Sequence, residues 1–405
     1  VSARVQQSEV GAAPGAALVD IPAAGAAVGT APDAAASVRA LVWTGGSDFA
    51  LRELPLPVPG PGEILVRVTA AAICGSDRHT VTGLRESPCP GILGHEGVGV
   101  IVALGTFDSV PRPGAGPGAA TGPIATGSAV AADVDGRPLA VGDRIVWSVV
   151  SACGGCDRCR AGHSAKCRRL LKAGHEALDS SWPLSGSFAT HVLLPAGHAV
   201  VRAGAEVSDG AAAISACAGA TVMAALDAGP SRNLAGARVL VSGVGMLGLL
   251  AVLAARAAGA TDIRAIDPSP TRRALAERAG ASFTLAPEQS SVGPVDLALE
   301  FSGVPTSVTS VLEALDVGST AVLAGSVFPG PAVGLDPEQV VRGRHTITGV
   351  HNYEPQHLAQ AVALLSTEHA AVLEDPVVLS TPVGLDAVPD AFAAPTQHLR
   401  TLVRP

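Results

Sequence analysis

The chain has 405 residues, too many for one ordinary domain and comfortable for two. Apolar residues make up 48% and charged residues 15%, so a sizeable core is within reach, although alanine inflates that count. A net charge of −8 with no basic block excludes a general nucleic-acid binder while leaving room for a local positive pocket.

Residues 1–36 are Ala, Gly and Pro with few large side chains, which predicts a disordered tail. Order is expected from "VRALVWTG", and "GEILVRVTAAAICGSD" reads as a strand running into a loop. The low-complexity stretch 109–132 sits between two strand-like runs, "GVGVIVALG" and "GDRIVWSV", and is expected to be a surface insertion. "AAISACAGATVMAALDAG" reads as a helix. From "ARVLVSG" onward apolar strands alternate with Ala-rich helices, the pattern of a parallel sheet covered on both faces. After about residue 350 the pattern is irregular, and the first domain is expected to take back the C-terminus. No run reaches about eighteen uninterrupted apolar residues, so no membrane helix is expected. The N-terminus lacks a signal-peptide pattern. An odd number of cysteines then favours a reducing cytoplasm, where clustered cysteines bind metal more often than they pair.

Gly243, Gly245 and Gly248 form GxGxxG directly after the strand "RVLVS" and open the helix "LGLLAVLAARAAG". Glycine lets the backbone approach a pyrophosphate whose charge sits at the helix N-terminus. Asp267, at the end of the next strand, is placed to accept from both ribose hydroxyls and to repel a 2′-phosphate, favouring NAD over NADP. Arg272 and Arg273 follow and could soften that preference. The bland alternative is a Gly-rich turn without a ligand.

Cys153, Cys156, Cys159 and Cys167 have the spacing CxxCxxCx7C, which lets one loop wrap four thiolates tetrahedrally around zinc. With all four ligands supplied by protein, that metal is structural. A disulfide or redox role is the alternative. Arg158, Arg160, Lys166, Arg168 and Arg169 either offset the thiolate charge or bind an anion. A metal that does chemistry needs an open position. Cys74 in "CGSDRH", His95 in "GHEGVG" and Cys217 in "CAGAT" would supply thiolate, imidazole and thiolate with a free fourth corner, with Glu96 next to His95. Cys89 has no such context and reads as a plain thiol.

On "GHEGVG", the four-cysteine loop and "GVGMLG", in this order and spacing, the chain from 37 to 405 resembles the zinc-dependent medium-chain alcohol dehydrogenases. The resemblance implies a mainly-β GroES-like catalytic domain plus an α/β Rossmann domain with a doubly wound parallel sheet. The boundaries expected are 37–217 for the catalytic domain, 218–350 for the NAD-binding domain and 351–405 for the return. It implies two zinc ions per chain, NAD, and Cys217 as third ligand with Thr221 at the cofactor. By the same resemblance, the Ser76 hydroxyl touches the substrate oxygen and His79 carries a proton from the ribose hydroxyl to solvent. Asp77 and Glu96 then orient ligands, Glu96 alternatively as a labile ligand. "DVDGRPLAVGDRIVWSV", "KAGHEALDSSWPLSG" and "ITGVHNY" are similar to the branch associated with phosphonate catabolism. Arg85 falls where the family often places an apolar pocket residue, which would suit an anionic substrate such as a hydroxyalkylphosphonate; the alternative is a solvent-facing arginine. The expected partner is a small alcohol or carbonyl compound, with no nucleic acid or membrane, and the expected assembly is a homodimer or homotetramer. A reductase working from the carbonyl side and a non-catalytic nucleotide-binding relative are the rival readings.

Overall fold

The computed structural model describes residues 37–106, 131–289, 292–395 and 397–405. The tail 1–36 and the insertion up to residue 130 lie outside them, so those two expectations carry no structural finding.

Alternating burial builds the N-terminal part. The strand Ile64–Ile73 is central to an antiparallel sheet, pairing with Glu96–Leu104, His191–Leu194 and the C-terminal strand Thr401–Val403. Arg144–Trp147 and Val200–Arg202 extend it beyond Glu96–Leu104. A smaller sheet places Ser37–Gly45 between Asp48–Pro55 and Gly91–Ile92. The last strand of the chain therefore lies against the strand that delivers Cys74.

The second half has the buried apolar runs that a parallel sheet needs on both faces. Val239, Leu240 and Val241 are fully buried in Arg238–Ser242. Around that strand the order is Phe283–Leu285, Asp262–Ile266, Arg238–Ser242, Val295–Glu300, Leu315–Leu323 and Thr346–Gly349, all parallel. In chain order this is 3-2-1-4-5-6, with the reversal beside the first strand, where such sheets bind dinucleotides. The fold is an α/β Rossmann domain plus a mainly-β domain.

The expected helix over "AAISACAGATVMAALDAG" is one run, Asp209–Ile214 and Ala220–Asp227, interrupted by a π-turn at Ser215–Gly219. By length and composition Asp209–Asp227 could cross a membrane, but 78% of it is buried inside the fold, so its apolarity belongs to the core. One expectation is corrected: after Ile73 the chain enters a short helix, Gly75–Val81, and not a loop. Cys74 stands at its N-cap, where Asp77 accepts from the Cys74 amide at 2.9 Å. That cap outweighs the weak helix propensity of "GSDRHT".

Candidate active site and metal centres

Three distant segments bring Cys74, His95 and Cys217 together, with their ligand atoms all within 4.8 Å of one another. Cys74 comes from the end of the central strand, His95 from the turn before Glu96–Leu104, and Cys217 from the π-turn. Such one-residue bulges recur at functional sites because they re-aim a side chain. Tyr353, the only tyrosine of the chain, anchors this one: its buried hydroxyl donates to the Ala216 carbonyl and accepts from the Val149 amide at 3.0 Å.

The electrostatics suit a cation. Cys217 donates to Cys74, which lowers the Cys74 pKa against the opposing effect of burial, and Arg400 lowers it further. The same bond, with burial, raises Cys217. A divalent metal would replace that shared proton and take both sulfurs as thiolates. Burial would lower the His95 pKa, but the Asp77 carboxylate and Cys74 raise it overall. Asp77 Oδ1 faces His95 Nδ1 at 3.2 Å without hydrogen-bond alignment, leaving Nε2 for a ligand. Ser76 Oγ stands 3.1 Å from that Nε2.

Glu96 is fully buried beside this centre. Arg400 clasps it, Nε to Oε2 at 2.8 Å and Nη2 to Oε1 at 3.2 Å, and Nη2 also reaches Cys74 Sγ at 3.5 Å. Burial raises the Glu96 pKa to about 7 despite Arg400. The motif reading missed Arg400. Its signal was chemical: a carboxylate next to a buried ligand needs a cation. His175 was missed too. Its buried ring lies 5.0 Å from that of His95, and its Nε2 is 3.4 Å from Arg85 Nη1. His79 is half-buried, with its ring edge-on to Phe328 at 4.5 Å. Burial and Arg85 lower its pKa, against Cys74.

Cys153, Cys156, Cys159 and Cys167 also converge within 4.8 Å. Cys156 Sγ lies 3.4 Å from Cys159 Sγ and 3.9 Å from Cys167 Sγ. Zn–S bonds of about 2.3 Å in a tetrahedron separate sulfurs by about 3.8 Å, so the donor set fits zinc. All seven cysteines are free thiols, and Cys89 is exposed and outside both groups. Arg169 and neighbouring amides lower the Cys153 pKa to about 6. Arg168 is paired with Asp157 at 2.6 Å. Arg158 and Arg160 hold backbone carbonyls of their own loop.

At the sheet's reversal lies a cavity of about 940 Å³ lined by Gly243, Gly245, Asp267 and Arg272, among others. A Cβ on Gly245 would meet nothing within 4 Å, so that face is open to a ligand. A Cβ on Gly248 would lie 1.9 Å from the Gly243 carbonyl oxygen, so this glycine packs the helix on the turn and does not line the cavity. Asp267 is buried and takes the Val244 amide at 2.8 Å and the Ser269 amide at 2.9 Å; Arg272 lies 3.8 Å away. Arg273 holds the Asp267 carbonyl. Thr221 is half-buried one turn beyond Cys217 and is not among the cavity residues.

A dinucleotide fold joined to a thiolate–imidazole metal site with an open corner defines a zinc- and NAD-dependent oxidoreductase. Comparison with known proteins agrees. Residues 60–120 and 114–204 match the alcohol dehydrogenase GroES-like domain, and 247–367 match the zinc-binding dehydrogenase domain. An L-threonine 3-dehydrogenase of Paraburkholderia phytofirmans is 30% identical over 318 residues, 75% of this chain and 80% of the relative. An alcohol dehydrogenase of Thermotoga maritima is 26% identical with a TM-score of 0.80, covering 91% of this chain and 100% of that one. A zinc-binding dehydrogenase of Sinorhizobium meliloti bound to NADP is 27% identical with a TM-score of 0.75 at the same coverage. The chain belongs to the zinc-binding medium-chain alcohol dehydrogenase family and acts on a small alcohol or carbonyl compound.

Proposed function

We propose that the Cys74–His95–Cys217 centre is catalytic, that the four-cysteine centre is structural, and that the chain holds two zinc ions. The convergence of Cys74, His95 and Cys217 from three segments carries this reading. Bound zinc supplies Lewis acidity towards a substrate hydroxyl, and bound NAD supplies the hydride acceptor.

The chain's own residues handle the proton. Ser76 Oγ, beside His95 Nε2, is placed to accept it. His79 lies three residues further on the same helix, hence on the same face, and is half-exposed. Its lowered pKa keeps the ring neutral and able to take a proton outward. Asp77 holds the helix start and the His95 ring; Glu96 with Arg400 holds Cys74 from behind. Asp267 favours NAD over NADP and Gly245 makes room for the pyrophosphate, with Thr221 near the cofactor. Residues 37–217 and 351–405 form the catalytic domain and 218–350 the cofactor domain, assembled as a homodimer or homotetramer.

The finer substrate reading is a small anionic alcohol of hydroxyalkylphosphonate type, bound through Arg85. None of the relatives named above carries a link to phosphonates, so this rests on Arg85 beside His175. The test is NAD and NADP reduction by zinc-loaded protein with 2-hydroxyethylphosphonate, L-threonine and 1-propanol. NAD should be the better cofactor, and the phosphonate should have a higher kcat/KM than 1-propanol. Reduction of neither cofactor by any alcohol or amino alcohol would overturn the catalytic assignment.

A further inference from the structure

The chain has only two lysines, Lys166 and Lys172, although arginine serves everywhere else; Lys172 feels the charge of Cys217, and Lys166 lies within reach of Lys172. The arginines of the four-cysteine loop are committed to Asp157, to backbone carbonyls or to thiolates. Lys166 turns away from that loop, and its Nζ meets His351 Nδ1 at 2.8 Å. Lys172 is half-buried on the short strand Leu171–Lys172, paired with Val150–Ser151. Arg85 leans on His175, whose ring in turn lies tilted beside that of His95. His175 Nδ1 is buried with no partner.

No described carboxylate forms an ion pair with Arg85, Lys166 or Lys172. Glu354 acts on Lys166 and Glu176 on Lys172 from a distance, and neither closes an ion pair with them. Glu176 accepts from the Lys172 amide at 2.8 Å, and Glu354 accepts from the Ser164 and Ala165 amides at 3.1 and 3.0 Å. Burial, then Arg85 and Lys166, lower the Lys172 pKa; burial, then Lys166, Lys172 and Arg85, lower His351 to about 4. These groups repel one another. The metal centre does not require them, since one dication with two thiolates and a neutral imidazole is already uncharged. Nor do the four thiolates, which have the Arg169 guanidinium beside Cys153. Cations gathered at such a cost mark where an anion sits.

We propose that Arg85 and Lys172 bind an anionic group of the substrate beside the open metal centre, with Lys166 and His351 as the outer wall. The substrate is an alcohol bearing an oxyanion a few bonds from its hydroxyl, and two cations suit a phosphoryl or phosphonyl dianion better than a carboxylate. This deepens the proposed function and rests on its placing the hydroxyl at Cys74, His95 and Cys217.

Two lysines make the test direct. Zinc-loaded protein saturated with NAD, which fills the pyrophosphate site, is treated with an amine-acetylating reagent, and each lysine is read by mass spectrometry. Inorganic phosphate should protect Lys172 at millimolar concentration, and acetate should protect it less. Arg85→Leu should weaken protection by phosphate about ten- to a hundredfold, the scale of one charge-assisted pair. Arg85→Lys should retain part of it, which separates loss of charge from loss of fold. The kcat/KM ratio of 2-hydroxyethylphosphonate to 1-propanol should fall by a similar factor in Arg85→Leu. Equal acetylation with and without phosphate, or protection unchanged by Arg85→Leu, would overturn the inference even if alcohols still reduced NAD. Protection that depends on Arg85 in a protein that oxidises no alcohol would uphold the anion site and refute the dehydrogenase assignment.

Discussion

Glu96 follows His95, a candidate metal ligand, in sequence, but the cation that neutralises it comes from 304 residues away. Removing one member of such a buried pair strands the other charge. Arg400→Leu should therefore cost about 3–5 kcal/mol, read as a lower urea midpoint. His198 carries a second, pH-dependent prediction. Its Nε2 lies 2.8 Å from the Ser148 carbonyl oxygen, and burial holds its pKa down to about 4. In the unfolded chain the value is about 6.5, so protons favour unfolding. Its stabilising contribution is complete above about pH 6.5 and is lost as pH falls towards 4, on the order of 3 kcal/mol in all. Urea unfolding between pH 7 and 4 checks this, and His198→Gln should flatten the slope. Residues of rare, chemically committed types were legible in the sequence: Cys74, His95 and the four loop cysteines. Arg400, His175 and Tyr353 were not, because their meaning lies in partners that only the folded chain supplies.

At the scale of elements, the glycine turn was legible because strand, turn, helix and acid coincide within one local stretch. The π-turn at Cys217 was not, since "ISACAGAT" has the composition of an ordinary buried helix. The strands Phe283–Leu285 and Thr346–Gly349 have three and four residues, too short for a period to show. The two glycines of the turn divide its work, and substitution separates them. Gly245→Ala should leave thermal stability nearly unchanged yet weaken NAD binding at least tenfold, because the added methyl enters the space of the pyrophosphate. Gly248→Ala must push the helix off the Gly243 carbonyl and should cost about 1–3 kcal/mol as well. Calorimetric melting and NAD titration on both variants check the contrast. Equal behaviour would refute the division.

Across the whole molecule, one candidate metal centre gathers residues spread over 143 positions, from Cys74 to Cys217, while the other closes within the single loop "CGGCDRCRAGHSAKC". Glu354 ties that loop to the start of the helix Pro355–Leu365 through the Ser164 and Ala165 amides. Cys159→Ser should therefore lower the melting temperature by roughly 5–10 °C, because the structural ion proposed there would contribute folding free energy. Cys74→Ser should spare the fold and reduce kcat/KM by at least about a hundredfold. The most direct measurement is the zinc content per chain of wild-type and Cys74→Ser protein. Two ions in the wild type and one in the variant, with the fold intact, is the expected result. Equal zinc in the two proteins would contradict the open centre at Cys74, His95 and Cys217.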